Sequence, residues 1–257
     1  MKKDIHVALA TPTIIPGWLE GNTKTIVNNI KRAVSDKAEL VLFPEMALSG
    51  VNLSNNFHRD VKLAVPLESP YIKEIQAAAK NHEIWVALGF LERDGLMLYD
   101  SAIMINDLGE VVLHYRAISD SWSLPNAPPN YGVGDNYPTL HTPWGKMGFL
   151  IHEDIFDITH IAFAEQLDMV LCPVACCFSK AVYIDPQQDW DKRFWPHYER
   201  KLSQVGAVAL MSNYICKLTL YHGGAFITDK QGKLIASTPL YEEGLLSGII
   251  SLAQRSN

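Results

Sequence analysis

The residue types best suited to chemistry occur where an apolar run ends abruptly in polar residues. Residues 148–151 (GFLI) predict a buried strand, and His152, Glu153 and Asp154 follow it directly. A helix is predicted from Phe156, so these three residues occupy a strand-to-helix elbow, where many α/β enzymes expose a nucleophile. The residue at the tip is His152, whose imidazole ring can gain or lose a proton near neutral pH.

Two further candidates follow other apolar runs. Residues 40–43 (LVLF) predict a strand buried on both faces, and Glu45 lies just beyond its end. Cys176 and Cys177 follow the strand predicted at residues 169–174. Buried thiols usually behave as small inert hydrophobes. The sequence contains no CxxC or HxxxH spacing, so it gives no support for a metal site.

Length, charge and cysteine usage narrow the class of protein. The 257 residues, 48% of them apolar, suffice for a large single domain. The net charge of -6 offers no basic surface for nucleic acid. No run approaches the roughly 18 apolar residues needed to span a membrane. Four cysteines in a chain of this length do not form a disulfide framework, so we expect a reducing, cytoplasmic location.

Strand and helix patterns alternate along the chain without a repeat or a domain boundary. Strands are predicted at residues 5–10, 40–43, 84–90, 101–105, 111–115, 148–151, 169–174, 207–211, 226–228 and 234–237. Helices are predicted after an Asn22-Thr23 cap, from Pro70, and at residues 156–166 and 197–205. Residues 119–143, rich in Pro, Asn, Gly and Trp, predict a long ordered loop, and such loops are commonly functional.

Three pieces of sequence, in the right order, resemble the nitrilase, or carbon–nitrogen hydrolase, superfamily. The first is residues 40–50 (LVLFPEMALSG). The second comprises residues 89–92, 99–102 (YDSA), Gly109 and Tyr115-Arg116. The third comprises residues 148–154, 173–175 (PVA), Arg200, Gly223 and the turn at residues 229–232. The resemblance extends from Ile5 to Leu252, so it predicts one carbon–nitrogen hydrolase-like domain over residues 1–257.

The resemblance implies both a fold and a chemistry. The expected fold is an α-β-β-α sandwich, which usually pairs into an α-β-β-α-α-β-β-α dimer. Members of the family hydrolyse or transfer acyl groups from nitriles, amides or carbamoyl groups. They use a cysteine thiolate, a glutamate base and a lysine that stabilises the oxyanion, often with a second glutamate. No metal or organic cofactor is implied.

The sequence departs from this catalytic set. Glu45 retains the position of the family base, but His152 stands where the cysteine is expected and Ala117 where the lysine is expected. The register of the long loop places Ala127 at the second glutamate. Without the thiolate there is no family acyl-enzyme, and without the lysine a donor worth about 3–4 kcal/mol is lost. We therefore expect no cysteine-dependent amidase or nitrilase activity of the family type.

The retained residues allow several interpretations. His152 can be a pocket filler bonded to Glu45, or the two can form a dyad in which the carboxylate orients the imidazole and raises its pKa. Cys176, in a segment that lines the pocket in the family, is either an inert buried thiol, a relocated nucleophile or part of a metal site with Glu45 and His152. Glu153 extends the acidic cluster, and Asp154 is expected to be structural.

We predict a pocket bounded by six residues, with Glu45 and His152 as the candidate catalytic pair. The residues expected to contact a ligand are Ala117, Glu153, Ala175 and Cys176. The leading hypothesis is non-hydrolytic binding of a small molecule or a protein partner by a homo-oligomer. The alternative is an enzyme with altered acid–base chemistry on a small substrate containing a carbon–nitrogen bond. A structural subunit that pairs with an active relative is a third possibility.

Overall fold

Two six-stranded β-sheets, packed face to face, form the centre of the protein in a computed structural model. The structure describes residues 4–157, 166–177, 186–216, 218 and 220–252. In each sheet three neighbouring strands run parallel and the outer strands are antiparallel. Because the carboxyl ends of parallel strands lie at one edge of a sheet, this arrangement forms a common edge for functional side chains.

The first sheet contains the amino-terminal strands and one strand from near the carboxyl terminus. In spatial order its strands are β14 (Gly244–Ser251), β1 (Asp4–Thr11), β2 (Leu40–Leu42), β3 (Trp85–Asp94), β4 (Met97–Ile105) and β5 (Val111–Arg116). All three residues of β2 are buried, as predicted from its continuous apolar run. A tight turn at Gly95 and Leu96 joins β3 to β4, while β14 was not predicted.

The second sheet is built from the carboxyl-terminal half of the chain. In spatial order its strands are β13 (Leu234–Ser237), β12 (Ala225–Thr228), β9 (Val208–Ser212), β8 (Met169–Pro173), β7 (Lys146–Phe149) and β6 (Thr139–His141). A separate two-stranded ribbon pairs β10 (Ile215–Cys216) with β11 (Tyr221–His222). Strand β6 lies inside residues 119–143 and pairs antiparallel with β7. The loop predicted over these residues is therefore shorter than expected.

Helices cover the outer faces of both sheets. They are α1 (Leu19–Ser35), α2 (Phe57–Asp60), α3 (Pro70–Asn81), α4 (Pro186–Asp189) and α5 (Trp195–Val205), with one π-helical turn, Trp190–Phe194, before α5. Apolar residues of α1 and α3 pack on the first sheet, and those of α5 pack on the second. The predicted α-β-β-α sandwich is therefore confirmed, and the dimer remains a prediction. None of the described helices is long and apolar enough to cross a membrane.

Two helix boundaries differ from prediction or lie beyond what is described. Helix α1 begins at Leu19, so Asn22 and Thr23 are not its cap. The Asn22 amide instead bonds both backbone groups of Ile15 and the carbonyl of Leu48, which anchors the preceding loop to the helix. The helix predicted at residues 156–166 falls mostly on residues 158–165, outside the described residues. The helix predicted from Pro70 is confirmed, with Ser69 as its cap.

Candidate functional site

Five of the six predicted site residues lie at the carboxyl ends of parallel strands, and the sixth, Ala117, follows the antiparallel strand β5. Glu45 follows β2, the elbow with His152 follows β7, and Ala175 and Cys176 follow β8. The two sheets face each other, so these ends meet although Glu45 is more than a hundred residues from the other two segments in sequence. The fold thus explains why the residues of three separate segments form one site.

A glycine on β3 positions the Glu45 backbone. A Cβ atom at Gly89 would lie 2.6 Å from the Glu45 Cα and 2.8 Å from the Pro44 carbonyl oxygen. The Gly89 N–H donates to that carbonyl oxygen at 3.1 Å, and the Ala47 N–H donates to the Gly89 carbonyl at 2.9 Å. Only a residue without a side chain allows this approach. The Glu45 side chain is thereby held in the interior, with the residue 4% exposed.

The backbone at the His152 elbow is strained, and a buried carboxylate stabilises it through hydrogen bonds. His152 has a φ of +33°, and a non-glycine residue in such a conformation typically costs about 1–3 kcal/mol. The stabilising residue is Asp154, which is fully buried. Its carboxylate accepts a hydrogen bond from the Tyr115 hydroxyl at 2.7 Å. It also accepts hydrogen bonds from the backbone N–H groups of Ile151 at 3.1 Å and Ser119 at 2.9 Å. This agrees with the structural role expected for Asp154.

Glu45 and His152 are in contact. The Glu45 Oε2 lies 3.2 Å from the His152 Nδ1, and the His152 side chain is 20% exposed. Burial by itself would lower the pKa of His152, but the charge of Glu45 and the neighbouring thiol of Cys176 raise this pKa well above its ordinary value. The imidazolium form is therefore favoured at neutral pH.

Asp100, at the middle of β4, is a member of the site that sequence reasoning missed. It is almost fully buried beside Glu45. Burial raises the pKa of Asp100, and the charges of Glu45 and Asp154 raise it further, so this carboxyl group is held in its protonated form. Residues 99–102 were part of the family resemblance, but nothing in the strand pattern showed that Asp100 faces the glutamate.

Five of the six predicted residues, together with Asp100, line one cavity of about 200 Å³, here called the Glu45 cavity. The five are Glu45, Ala117, His152, Glu153 and Ala175. No lysine or arginine is among the described residues that line it. Ala127, at the expected register of the second glutamate, borders a different surface cavity.

The sixth residue, Cys176, lines a second cavity that shares His152 with the first. This second cavity, here called the Cys176 cavity, has a volume of about 490 Å³ and also contacts Glu153. The rings of His152 and His222 lie near the thiol and act on its pKa. Burial by itself would raise the pKa of Cys176, but these two histidines lower it to about 6. This environment favours the reactive alternative for Cys176 over the inert one.

The Cys176 backbone is fixed by one asparagine. The Cys176 N–H donates to the Asn213 Oδ1 at 3.2 Å, and the Asn213 Nδ2 donates to the Cys176 carbonyl oxygen at 3.0 Å. Asn213 follows β9, so the neighbouring parallel strand holds the thiol in place. His222 and Asn213 could not have been assigned to the site from local sequence patterns.

The metal-site alternative has no support in this geometry. Within residues 4–157, 166–177, 186–216, 218 and 220–252, no group of three or more His, Cys, Asp or Glu side chains is arranged to hold a metal ion.

Comparison with known proteins establishes the family. The Carbon-nitrogen hydrolase family pattern matches residues 6–256, so the chain belongs to the carbon–nitrogen hydrolase family. A mutant amidase of Nesterenkonia, from the nitrilase superfamily, has a similar structure, with a TM-score of 0.80, 18% sequence identity, and coverage of 98% of this chain and 92% of that chain. At this identity the likeness shows the fold alone.

Curated relatives include nitrilases, cyanide hydratases and a formamidase. The chain is 30% identical over 148 residues to a nitrilase of Talaromyces marneffei, which covers 52% of this chain and 46% of that protein. It is 28% identical over 200 residues to a cyanide hydratase of Microdochium sorghi, covering 70% and 54%. These alignments span about half the length of the two fungal proteins. An aliphatic nitrilase of Sinorhizobium fredii matches at 22% identity over 94% of this chain and 85% of that protein.

Proposed function

We propose that the Glu45 cavity binds a small molecule with a carbon–nitrogen bond and that Glu45 and His152 act on it as an acid–base pair. The supporting observation is the 3.2 Å contact between the Glu45 Oε2 and the His152 Nδ1. A general acid or base must lie within hydrogen-bonding reach of its partner, and the contact satisfies this condition. Membership of the carbon–nitrogen hydrolase family supports the same substrate class.

The size and charge of the cavity narrow the ligand. A volume of about 200 Å³ is smaller than the roughly 300–1,000 Å³ of drug-sized sites, so the ligand has few heavy atoms. Three carboxyl groups line the cavity, those of Glu45, Asp100 and Glu153, and no described lining residue is a lysine or arginine. Asp100 is neutral, and the two glutamates outnumber the single cationic group, His152, so the lining disfavours anions. The ligand is therefore a neutral or cationic molecule, such as a small amide, nitrile or amidine.

The protonation states of His152 and its neighbours determine whether His152 acts first as an acid or as a base. Because the pKa of His152 is raised, its ring is protonated in the resting pocket and acts first as a general acid toward the nitrogen of the ligand. Glu45 stabilises the imidazolium through their contact. Asp100, whose pKa is also raised, remains neutral beside Glu45 and so adds no second negative charge.

Non-hydrolytic binding is the second candidate, and Ala117 favours it. The resemblance places a lysine at this position, and the alanine leaves the cavity without that charged donor. Loss of one oxyanion donor typically costs about 3–4 kcal/mol of transition-state stabilisation. A pocket with the shape of the family site but without this donor can still bind a small ligand.

One experiment separates the two candidates. Formamide, acetamide and acetonitrile are tested for binding by ligand-observed NMR and for turnover by ammonia release. The wild-type protein is compared with Glu45→Gln and His152→Ala, and with His141→Ala as a matched control at an exposed histidine of β6. Turnover that is lost in both site variants but retained in the control supports the acid–base pair. Binding without turnover in any variant supports the second candidate, and neither binding nor turnover contradicts both.

Two expectations from the sequence extend the proposal beyond the single chain. We propose that two copies pair into the α-β-β-α-α-β-β-α dimer that the family resemblance implies. Sedimentation equilibrium measures this directly, and a concentration-independent monomer contradicts it.

We also propose a cytoplasmic location, since Cys172, Cys176, Cys177 and Cys216 are all free thiols.

A further inference from the structure

Cys176 is a buried thiol that the proposed function does not use, although it lies beside His152, which that function does use. Cys176, His152 and Tyr198 line one cavity, and the nearby rings of His152 and His222 lower the pKa of the Cys176 thiol. His152 lines both cavities, so one histidine is shared between the Glu45 cavity and the Cys176 cavity. The residues Glu45, His152 and Cys176 thus place a carboxylate, an imidazole and a thiol in sequence.

We propose that Cys176 is a nucleophile, paired with His152, that forms a covalent adduct with an acyl compound entering the Cys176 cavity. The proposal deepens the proposed function because it uses the same His152 as acid and base. The nucleophile lies after β8 rather than at the elbow, in the cavity that shares His152 with the Glu45 cavity. The altered elbow therefore does not remove thiol chemistry but moves it to the next parallel strand.

The other cysteines provide an internal comparison. Burial raises the pKa of Cys172 on β8 above the range in which it ionises at neutral pH. Burial also raises the pKa of Cys177, although this residue is exposed. Cys176 alone among these three has its pKa lowered, to about 6. A thiolate that forms near neutral pH is the form that attacks electrophiles.

The reaction balances with water as the only co-reactant. The Cys176 sulfur attacks the acyl carbon of an ester or amide, the carbon–sulfur bond forms, and the C=O electron pair moves to oxygen. Collapse of this intermediate expels the alcohol or amine, which takes its proton from the His152 imidazolium. His152 then accepts a proton from water, the resulting hydroxide attacks the thioester, and the thiolate leaves. The net change is cleavage of the ester or amide by one water molecule.

The lining of the Cys176 cavity indicates the acyl compounds that fit. Three aromatic side chains line it, those of Phe156, Phe194 and Tyr198. Its volume of about 490 Å³ is within the range of sites for drug-sized ligands. An aromatic ester or anilide is therefore a suitable probe, and p-nitrophenyl acetate has the required ring and acyl group.

Alkylation tests the thiolate without any substrate. The wild-type protein is treated with iodoacetamide between about pH 5 and pH 9, and the modified cysteines are identified by peptide mass spectrometry. The groups that face the thiol, and so shape its pH profile, are His152, His222, Tyr198, Tyr221 and Cys177. We expect Cys176 to react fastest, with a rate that rises through about pH 6. In His152→Gln the midpoint should move upward, while His141→Ala should leave it unchanged.

The acyl step is tested with p-nitrophenyl acetate. We expect a burst of p-nitrophenol and an acetyl group on Cys176, absent in Cys176→Ser and in Cys176→Ala, with the melting temperature confirming that at least one variant folds. Alkylation of Cys176 no faster than Cys177 at neutral pH, or an acetyl group on other residues only, overturns the proposal. If either of these two results is found together with ammonia release that is lost in Glu45→Gln, this proposal is overturned and the acid–base pair stays intact. An acetyl-Cys176 adduct without amide or nitrile turnover supports this proposal and contradicts the proposed function.

Discussion

Replacing Gly89 by alanine should displace the backbone that carries Glu45, without changing any side chain of the site. The added Cβ would lie 2.6 Å from the Glu45 Cα, whereas carbon atoms pack at about 3.5 Å, so the backbones must separate by about 0.9 Å. Both contacting atoms belong to the backbone, which cannot rotate away. Overpacking of this kind costs about 1–3 kcal/mol, which corresponds to about 2–12 °C in melting temperature for a protein of this size. Misplacement of a catalytic group by about 1 Å can cost a hundredfold in rate.

The matched control is Gly248→Ala, in strand β14. A Cβ at Gly248 meets no atom within 4 Å, so the same chemical change there causes no collision. Thermal unfolding and ammonia release are measured for both variants, and the His152 ring is titrated by NMR to report its contact with Glu45. We expect Gly89→Ala to lower the melting temperature, the turnover and the pKa of His152 relative to Gly248→Ala. Equal values for the two variants would refute the argument that Gly89 positions the glutamate.

Three further predictions follow from single contacts. Tyr115→Phe removes the 2.7 Å hydrogen bond to the Asp154 carboxylate and should cost about 1.5–3 kcal/mol of unfolding free energy, measured by urea denaturation; an unchanged midpoint would show that Asp154 does not need this donor. Glu45→Gln should lower the raised pKa of His152 in an NMR titration. Since that pKa is higher in the folded state, its stabilising contribution is present below about pH 6.5 and is lost as the pH rises through the folded value; a pKa insensitive to this change would eliminate the dyad. Burial alone would raise the pKa of Glu92, but hydrogen bonds from a histidine and an arginine lower it to about 2. Its contribution is therefore present above the ordinary value of 4.5 and is lost as the pH falls toward 2, and Glu92→Gln should flatten the acid limb of the stability profile.

The shared position of His152 explains how one elbow serves two cavities. Its Nδ1 contacts Glu45, while the residue lines the Cys176 cavity together with the thiol. Both neighbours carry negative charge when ionised, and both favour the imidazolium form. A ligand in either cavity can alter the charge of Glu45 or Cys176. Such a change alters the protonation of the same histidine.

Much of the architecture was determined by local sequence patterns. The uninterrupted apolar run at residues 40–42 predicts a strand buried on both faces, and all three residues are buried. Helix α3 begins at Pro70, as predicted, with Ser69 as its cap. The same reasoning placed Glu45 and His152 at strand ends, because a polar residue that follows a buried run must lie where the strand leaves the core. The short strand β6 was missed because its three residues contain no apolar run and gain their conformation from pairing with β7.

Only the tertiary structure decided which groups surround His152. Asp100, Cys176 and His222 come from three different strands or their ends, and no local periodicity relates residues so far apart. The direction of a side chain at the elbow depends on a backbone φ of +33° that packing imposes against the intrinsic preference of the residue. Sequence thus determined the candidates and the strand ends on which they lie. The long-range packing of two sheets determined that the carboxylate, the imidazole and the thiol meet, since that contact depends on the distances between strands and not on their order along the chain.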